Sequence, residues 1–389
     1  MIVTRRESLG LRRRRPPGAG QESDSGYRLE FSQARHDPSW DTFVQQAPEG
    51  SHVQTTLWGQ VKATEGWDPV RVLVRRGEEI AGGAQAFIRP LPLRNAVAYI
   101  PKGPVSNPPD DAVDRVLLEG IRQLVDRYRI RHLSVQPPND GERFIPWLEA
   151  EGYRVSGTSV APVATVQIDL DQELEQILAG MRKNHRRFVR HGIRSGIEGR
   201  IGSEDDLESF YRLVQATGRR QGFVPHPLDH FVRLWQTYHP RGLLHLLMAE
   251  YQGSPISAQL VVAFGNRVVA KNSGWTGEQG NLGPNYVMEW TSIRWAKEHG
   301  FRYYDLEGID PRAADLVLRG ESLTESLRRS HSFYKLGYGG DVVRFPATYA
   351  LVPNPLLRWG FWSLYPRIAR TRLVKGTVDR LRTRSGGGR

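Results

Sequence analysis

The sequence predicts a mixed α/β protein built from two related domains in tandem. Three observations lead there. At 389 residues the chain is longer than one ordinary core organises. Its composition, 39% hydrophobic and 25% charged, is that of a globular chain. One order of elements also occurs twice along it.

In the first half, residues 70–76, rich in valine, read as a strand. Gly77 reads as a turn, and residues 80–88, small and apolar, as the returning strand. Residues 243–251, Gly253 and residues 256–262 repeat that order in the second half. Each copy continues with a further strand, at 97–100 and 268–272, and a Gly-Pro loop, Gly103-Pro104 and Gly283-Pro284. Helices are expected at 112–128 and 287–299, then strands opening at His132 and Tyr303. Each copy closes on a helix ending in Gly and an aromatic, Gly152-Tyr153 and Gly337-Tyr338, the mark of a C-cap feeding a strand. This order is typical of the acetyltransferase (GNAT) fold, here seen twice. The expected division is a disordered basic tail at 1–27, a first domain at 28–165, a second at 166–355, and a basic aromatic segment at 356–389.

The net charge of +12 sits mostly at the two ends. Six arginines oppose three acids in 1–27, and nine Lys or Arg oppose one Asp in 355–389. Basic ends favour nucleic acid or anionic lipid. No apolar run follows the N-terminal arginines, so no secretory or twin-arginine signal is expected there. No stretch reaches the roughly 20 apolar residues of a membrane span. With no cysteine there is no disulfide, thiolate metal site or cysteine nucleophile.

The most basic internal stretch is 181–197, where Arg182, Lys183, Arg186, Arg187, Arg190 and Arg194 crowd together. Met181, Phe188 and Ile193 recur at helical spacing, giving a helix with one apolar stripe and a cationic remainder. Such a surface attracts polyanions such as tRNA or pyrophosphate, or is simply a solvated face. Histidines are scattered and give no H-E-x-x-H or Cys/His ligand spacing, so no metal site is expected. A Gly-x-Ser-x-Gly elbow and a P-loop are absent too, and no cofactor is expected.

Five motifs in order carry a resemblance. They are Gln54…Trp58…Lys62, Tyr99-Ile100-Pro101-Lys102-Gly103-Pro104-Val105, the basic stretch with Lys183-Asn184, Tyr304-Asp305-Leu306-Glu307-Gly308, and Phe333-Tyr334-Lys335-Leu336-Gly337-Tyr338-Gly339. Over most of residues 50–355 the sequence resembles the Fem family, non-ribosomal peptidyltransferases that build peptidoglycan cross-bridges from aminoacyl-tRNA. No segment here has the length for the helical hairpin of some members, so the compact ones are the nearer likeness. The resemblance implies an aminoacyltransferase in the cytoplasm, acting at the inner face of the membrane. Its partners would be aminoacyl-tRNA and a lipid-linked or UDP-linked peptidoglycan precursor.

The resemblance also implies site residues. Lys335 falls where the family keeps a Lys beside the tRNA 3′ end and the reacting ester; the other reading is a surface Lys. Lys62 would meet the precursor diphosphate, and Arg182, Lys183, Arg186 and Arg187 the tRNA. Asp305 is a candidate base, as is Glu307, because a carboxylate at a strand end faces the crevice of an α/β fold; Asp305 would equally serve as partner of a backbone amide. Asn107 falls where some relatives place a substrate-binding Asp, and Tyr334 either stacks on a base or packs. One departure concerns His226 and His230, which stand where the family commonly has Arg and Tyr, so the acceptor differs or another cation replaces the Arg.

The segment from Leu356 to Lys375 mixes Trp, Phe and Tyr with cations. It suits a helix at an anionic membrane surface, or one packed on the protein with a basic outer face. Two other functions compete. An acyl-CoA-dependent N-acyltransferase would need a diphosphate cradle that the loops at 101–104 and 280–285 lack. A non-catalytic RNA- or membrane-binding module would have kept only the fold.

Overall fold

Val70, Val72 and Val74 are all buried, and so is Leu73 between them. A strand that buries both faces lies between two layers. The computed structural model describes residues 26–355 and 357–359. The basic tail before Gly26, and the C-terminal segment apart from 357–359, lie outside the described residues. Tyr27, assigned to the tail from sequence, is 3% exposed and donates to Asp110 Oδ2 at 3.0 Å.

The first half runs β1 (Arg28–Ser32), α1 (Pro38–Gln46), α2 (Thr56–Thr64), β2 (Asp68–Arg76), β3 (Glu79–Leu91), β4 (Asn95–Ile100) and β5 (Val105–Ser106). It continues with α3 (Asp111–Arg127), β6 (Ile130–Val135), α4 (Ile145–Ala150) and β7 (Arg154–Val155). The second half runs β8 (Ala164–Asp169), α5 (Leu174–Gly180), α6 (Lys183–Arg194), β9 (Ile197–Ile201), α7 (Leu207–Gln221), α8 (Leu228–Tyr238), β10 (Leu244–Tyr251), β11 (Ser254–Phe264) and β12 (Arg267–Trp275). It ends with α9 (Pro284–Glu298), β13 (Tyr303–Asp305), α10 (Pro311–Leu318), α11 (Glu325–Arg328), α12 (His331–Lys335), β14 (Asp341–Arg344) and β15 (Tyr349–Leu351). Among the described residues the longest helix is α3, with 17 residues, so there is no extended helical hairpin.

The two sheets have the same plan. One is ordered β1-β2-β3-β4-β6-β15-β7 and the other β14-β8-β13-β12-β11-β10-β9. In both, three antiparallel pairings lead to one parallel pairing, β4 with β6 and β12 with β13. The duplicated element order is therefore a duplicated topology. One strand of the second half joins the first sheet. After β7 the chain crosses to put β8 beside β13, and after β14 it returns to put β15 between β6 and β7. Residues 349–351, expected in the second domain, thus complete the first sheet.

Three apolar cores fill the layers. Val72, Ala84, Leu117 and Ile121 pack α3 on the first sheet, and Leu247, Val261, Val287 and Ile293 pack α9 on the second. Between the sheets, Trp40, Val44 and Leu57 of α1 and α2 meet Phe210, Phe231 and Trp235 of α7 and α8 in one core. The halves are joined by this middle layer of helices.

Candidate functional site

α2 is held at its start by a buried amide pair. Gln54 Nε2 donates to Pro101 O at 2.7 Å, and the Gln85 N–H donates back to Gln54 Oε1 at 2.7 Å. Thr55 caps the helix, accepting from the Trp58 N–H. The first of the five motifs is thus partly architectural: Gln54 ties the helix to β3 and to the loop carrying the second motif. What it positions is Lys62, whose Nζ lies 4.8 Å from the Trp58 ring centre and 2.7 Å from Glu65 Oε2.

A cavity of about 220 Å³ opens between α2, the start of α8 and the far end of β12. Lys62, His226, His230, Lys271, Asn272 and Glu307 contribute to its lining. Three residues singled out from sequence for substrate binding therefore meet in one place. His226 and His230 stack with ring centres 4.2 Å apart, and His230 Nδ1 lies 3.3 Å from Glu65 Oε1. Burial alone would raise the Glu65 carboxyl, but His230 and Lys62 hold it at about 2. Lys271 pairs with Glu307 across the cavity floor.

The far end of β12 is free because its parallel pairing with β13 stops early. The pairing covers only Arg267, Val268 and Val269, while β12 runs on to Trp275. In the first sheet the equivalent β4 stays paired with β6 from Ala96 to Ile100. The chain turns away after Asp305, with positive φ at Glu307 (49°) and Gly308 (39°). A gap between splayed parallel strands exposes backbone groups that must find other partners. Lys335 supplies one, since its Nζ donates to Gly308 O at 3.0 Å and also to Glu307 O. Burial lowers the Lys335 pKa, and Glu307, Glu289 and Asp305 push it back up. Lys335 is half-buried, so it is not a free surface lysine.

Asp305 is 5% exposed. Its Oδ1 accepts from Thr165 Oγ1 at 2.5 Å and from the Glu307 N–H at 2.7 Å, and its Oδ2 from Gln167 at 3.3 Å. The carboxylate is engaged in fixing the turn that presents Glu307 and Gly308. Tyr334 lies in an aromatic group with His185, Tyr286 and Tyr338, its hydroxyl 2.5 Å from that of Tyr338. Asn107 follows β5, its N–H bonded to Ala81 O, and is not among the cavity-lining residues.

The basic stretch forms α6, with a different buried stripe from the one expected. Met181, His185, Val189 and Gly192 face inward, while Ile193 is 46% exposed. Gly192 is the reason: a Cβ there would lie 2.5 Å from Val287 and 2.6 Å from Leu282 O, so α6 can approach α9 only along that line. The cations divide accordingly. Arg182 stacks 3.9 Å over Phe333 and donates to its carbonyl at 2.9 Å. Arg186 donates to Ala179 O at 2.7 Å. Both are half-buried clamps, whereas Lys183, Arg187, Arg190 and Arg194 are exposed.

Sequence spacing gave no metal site, yet Glu65, His226 and His230 bring three ligand atoms within 4.8 Å of one another. Glu65 belongs to a distant part of the chain, and only the α2–α8 contact brings it to the histidines. Lys271 was also missed from sequence; its one signal was a charge inside an apolar strand.

The FemAB family model matches residues 36–145, and an acetyltransferase (GNAT) domain model matches residues 179–314. A lipid II:glycine glycyltransferase of Staphylococcus saprophyticus is 24% identical over 235 residues, covering 58% of this chain and 57% of that protein. The Staphylococcus haemolyticus protein of the same name is 25% identical, covering 56% of this chain and 54% of that one. The chain thus spans little more than half the length of these curated relatives. The Staphylococcus aureus protein is 21% identical over 347 residues, 69% of this chain and 82% of its own. The crystal structure of FemX superposes with a TM-score of 0.73 at 18% identity, over 84% of this chain and 98% of that one. With a FemAB match in the first half, a GNAT-domain match in the second and the duplicated topology in place, the comparisons support membership of the Fem family.

Proposed function

We propose that the protein transfers an amino acid from aminoacyl-tRNA to the side-chain amine of a peptidoglycan precursor. The observation that carries this reading is the cavity lined by Lys62 and Lys271 beside the β12–β13 gap, with Lys335 at the gap's edge. Lys62 and Lys271, with His226 and His230, suit the diphosphate of a lipid-linked or nucleotide-linked precursor. Relatives named for glycyl transfer to lipid II favour the same acceptor class.

The reaction asks little covalent chemistry of the protein. The amine nitrogen attacks the ester carbonyl carbon, a C–N bond forms, the C–O bond to the ribose oxygen breaks, and the amine proton ends on that oxygen. Orientation of two anionic substrates lowers most of the barrier. The Lys335 ammonium neutralises the oxyanion of the tetrahedral intermediate. Asp305 acts as a positioning residue, through the Glu307 N–H. Exposed Lys183 and Arg187, with Arg190 and Arg194, offer a face for tRNA. Among the described residues no helix is long and apolar enough to cross a membrane. Leu357 and Trp359, at the start of the aromatic segment, are exposed and suit contact with a lipid surface.

The test is transfer of radiolabelled amino acids from a set of charged tRNAs to purified lipid-linked and UDP-linked precursors, with acyl-CoA donors in parallel. Labelling from at least one charged tRNA is expected, and labelling from acyl-CoA alone would overturn the reading. Lys335→Ala should lower kcat on the order of 100-fold with KM nearly unchanged, as for loss of one oxyanion-stabilising donor. Wild-type turnover in that variant removes Lys335 from the chemistry.

A further inference from the structure

Glu65, His226 and His230 come from two elements of the middle layer and converge at the cavity mouth. Glu65 Oε1 is sealed from solvent and makes no hydrogen bond, with His230 Nδ1 at 3.3 Å as its nearest ion-pair partner. Ligand atoms around a tetrahedral zinc sit about 3.3 Å apart, given metal–ligand distances near 2 Å. The Glu65–His230 pair already has that spacing. The third ligand, His226, is exposed at the rim, and all three ligand atoms lie within 4.8 Å of one another. Lys62 donates to the other Glu65 oxygen, the kind of outer partner that orients a ligating carboxylate.

We propose that Glu65, His226 and His230 hold a divalent transition-metal ion, zinc by donor set, with its fourth position open to a phosphate oxygen in the cavity. Two imidazoles and one carboxylate with an open position make a substrate-binding type of site rather than a closed structural one. Charge fixes the fourth ligand. The metal adds two positive charges beside Lys62 and Lys271, which are already paired with Glu65 and Glu307. The excess is balanced by an oxyanion. This second half rests on the reading of the cavity as a diphosphate site; the metal ligation does not.

The test uses metal-stripped, untagged full-length protein titrated with Co²⁺ and followed by visible absorption, then with Zn²⁺ in competition. The wild type should take up one equivalent with the strong bands of a four-coordinate site, and Zn²⁺ should abolish them. Removing an outer partner of a metal site typically costs about 10- to 100-fold in affinity. His226→Ala and His230→Ala should each lose at least that much, and Glu65→Gln similarly. His226 is at the surface, so its variant should keep the wild-type melting temperature. No bands in the wild type, or unchanged bands in both histidine variants, would overturn the site. Inorganic pyrophosphate should shift the bands; its failure to do so would overturn the open-position assignment alone. Neither readout needs tRNA or precursor, so the outcome is separate from that of the transfer assay.

Discussion

Burying an ammonium takes it out of water. Lys102, 7% exposed, has the Pro162 carbonyl at 3.1 Å and the Phe345 ring at 4.2 Å in place of that water. Desolvation pulls its pKa down to about 7, against a weaker upward pull from Asp305. The unfolded chain, with an ordinary lysine near 10.4, binds more protons between those values, so stability rises with pH across that window. Below pH 7 both states are protonated and the full cost is present. Lys102→Met should therefore stabilise the protein at pH 7 by on the order of 4 kcal/mol, and by much less near pH 10. Urea unfolding at the two pH values checks this. An equal gain at both would mean that packing, not charge, is what changed. The second motif, read from sequence only as a strand and loop, thus contains a lysine that the fold encloses. Nothing in Pro101-Lys102-Gly103 announces that, because enclosure comes from Pro162 and Phe345, distant in the chain.

At the scale of the element, α6 divides its cations between holding and offering. Arg182 and Arg186 bond to the carbonyls of Phe333 and Met181, so replacing either with Ala leaves a partly buried acceptor unmet. Each variant should lose about 1–2 kcal/mol of stability. Lys183 and Arg187 are exposed, and their double Ala variant should keep the wild-type melting temperature. Its binding to tRNA should weaken, with the salt slope flatter by roughly one unit per lost phosphate contact. An unchanged slope would make this face merely solvated. The same helix depends on Gly337, whose Cβ would fall 2.0 Å from His185. Gly337→Ala should displace His185 from Tyr334 O, now at 2.9 Å, and push α6 off α12. A destabilisation of about 1–3 kcal/mol is expected, the usual cost of overpacking. That a basic helix exists was legible in the 181–197 run. Which cations face water was not, because the stripe is set by Gly192 and Gly337 lying under neighbouring elements.

Over the whole molecule, the crossing strand β15 and the shared middle core bind the halves into one unit. β15 fills a place in the first sheet that no described residue before 349 occupies. Trp40 is fully buried, donates to Gln54 O at 2.7 Å and stands against Gly83, where a Cβ would be 2.4 Å from its ring. It also belongs to the core shared with α7 and α8. Trp40→Ala should cost about 3–5 kcal/mol. Because that core spans both halves, the protection of β2 and of β10 in hydrogen exchange should fall together. Loss confined to the first sheet would show that the halves unfold separately.

The sequence by itself determined the element order, its duplication and, through five motifs, the resemblance to the Fem family. These are local matters, written in apolar strand runs, Gly-Pro loops and helix caps. It also supplied Lys62, His226, His230 and Lys335 by resemblance. Only the tertiary structure decided that β15 crosses to the first sheet, that the β12–β13 pair opens while β4–β6 stays closed, and that Glu65 and Lys271 join the histidines. Those outcomes depend on which surfaces meet across a layer of helices. A glutamate and a lysine far apart in the chain carry no pattern that tells of such a meeting.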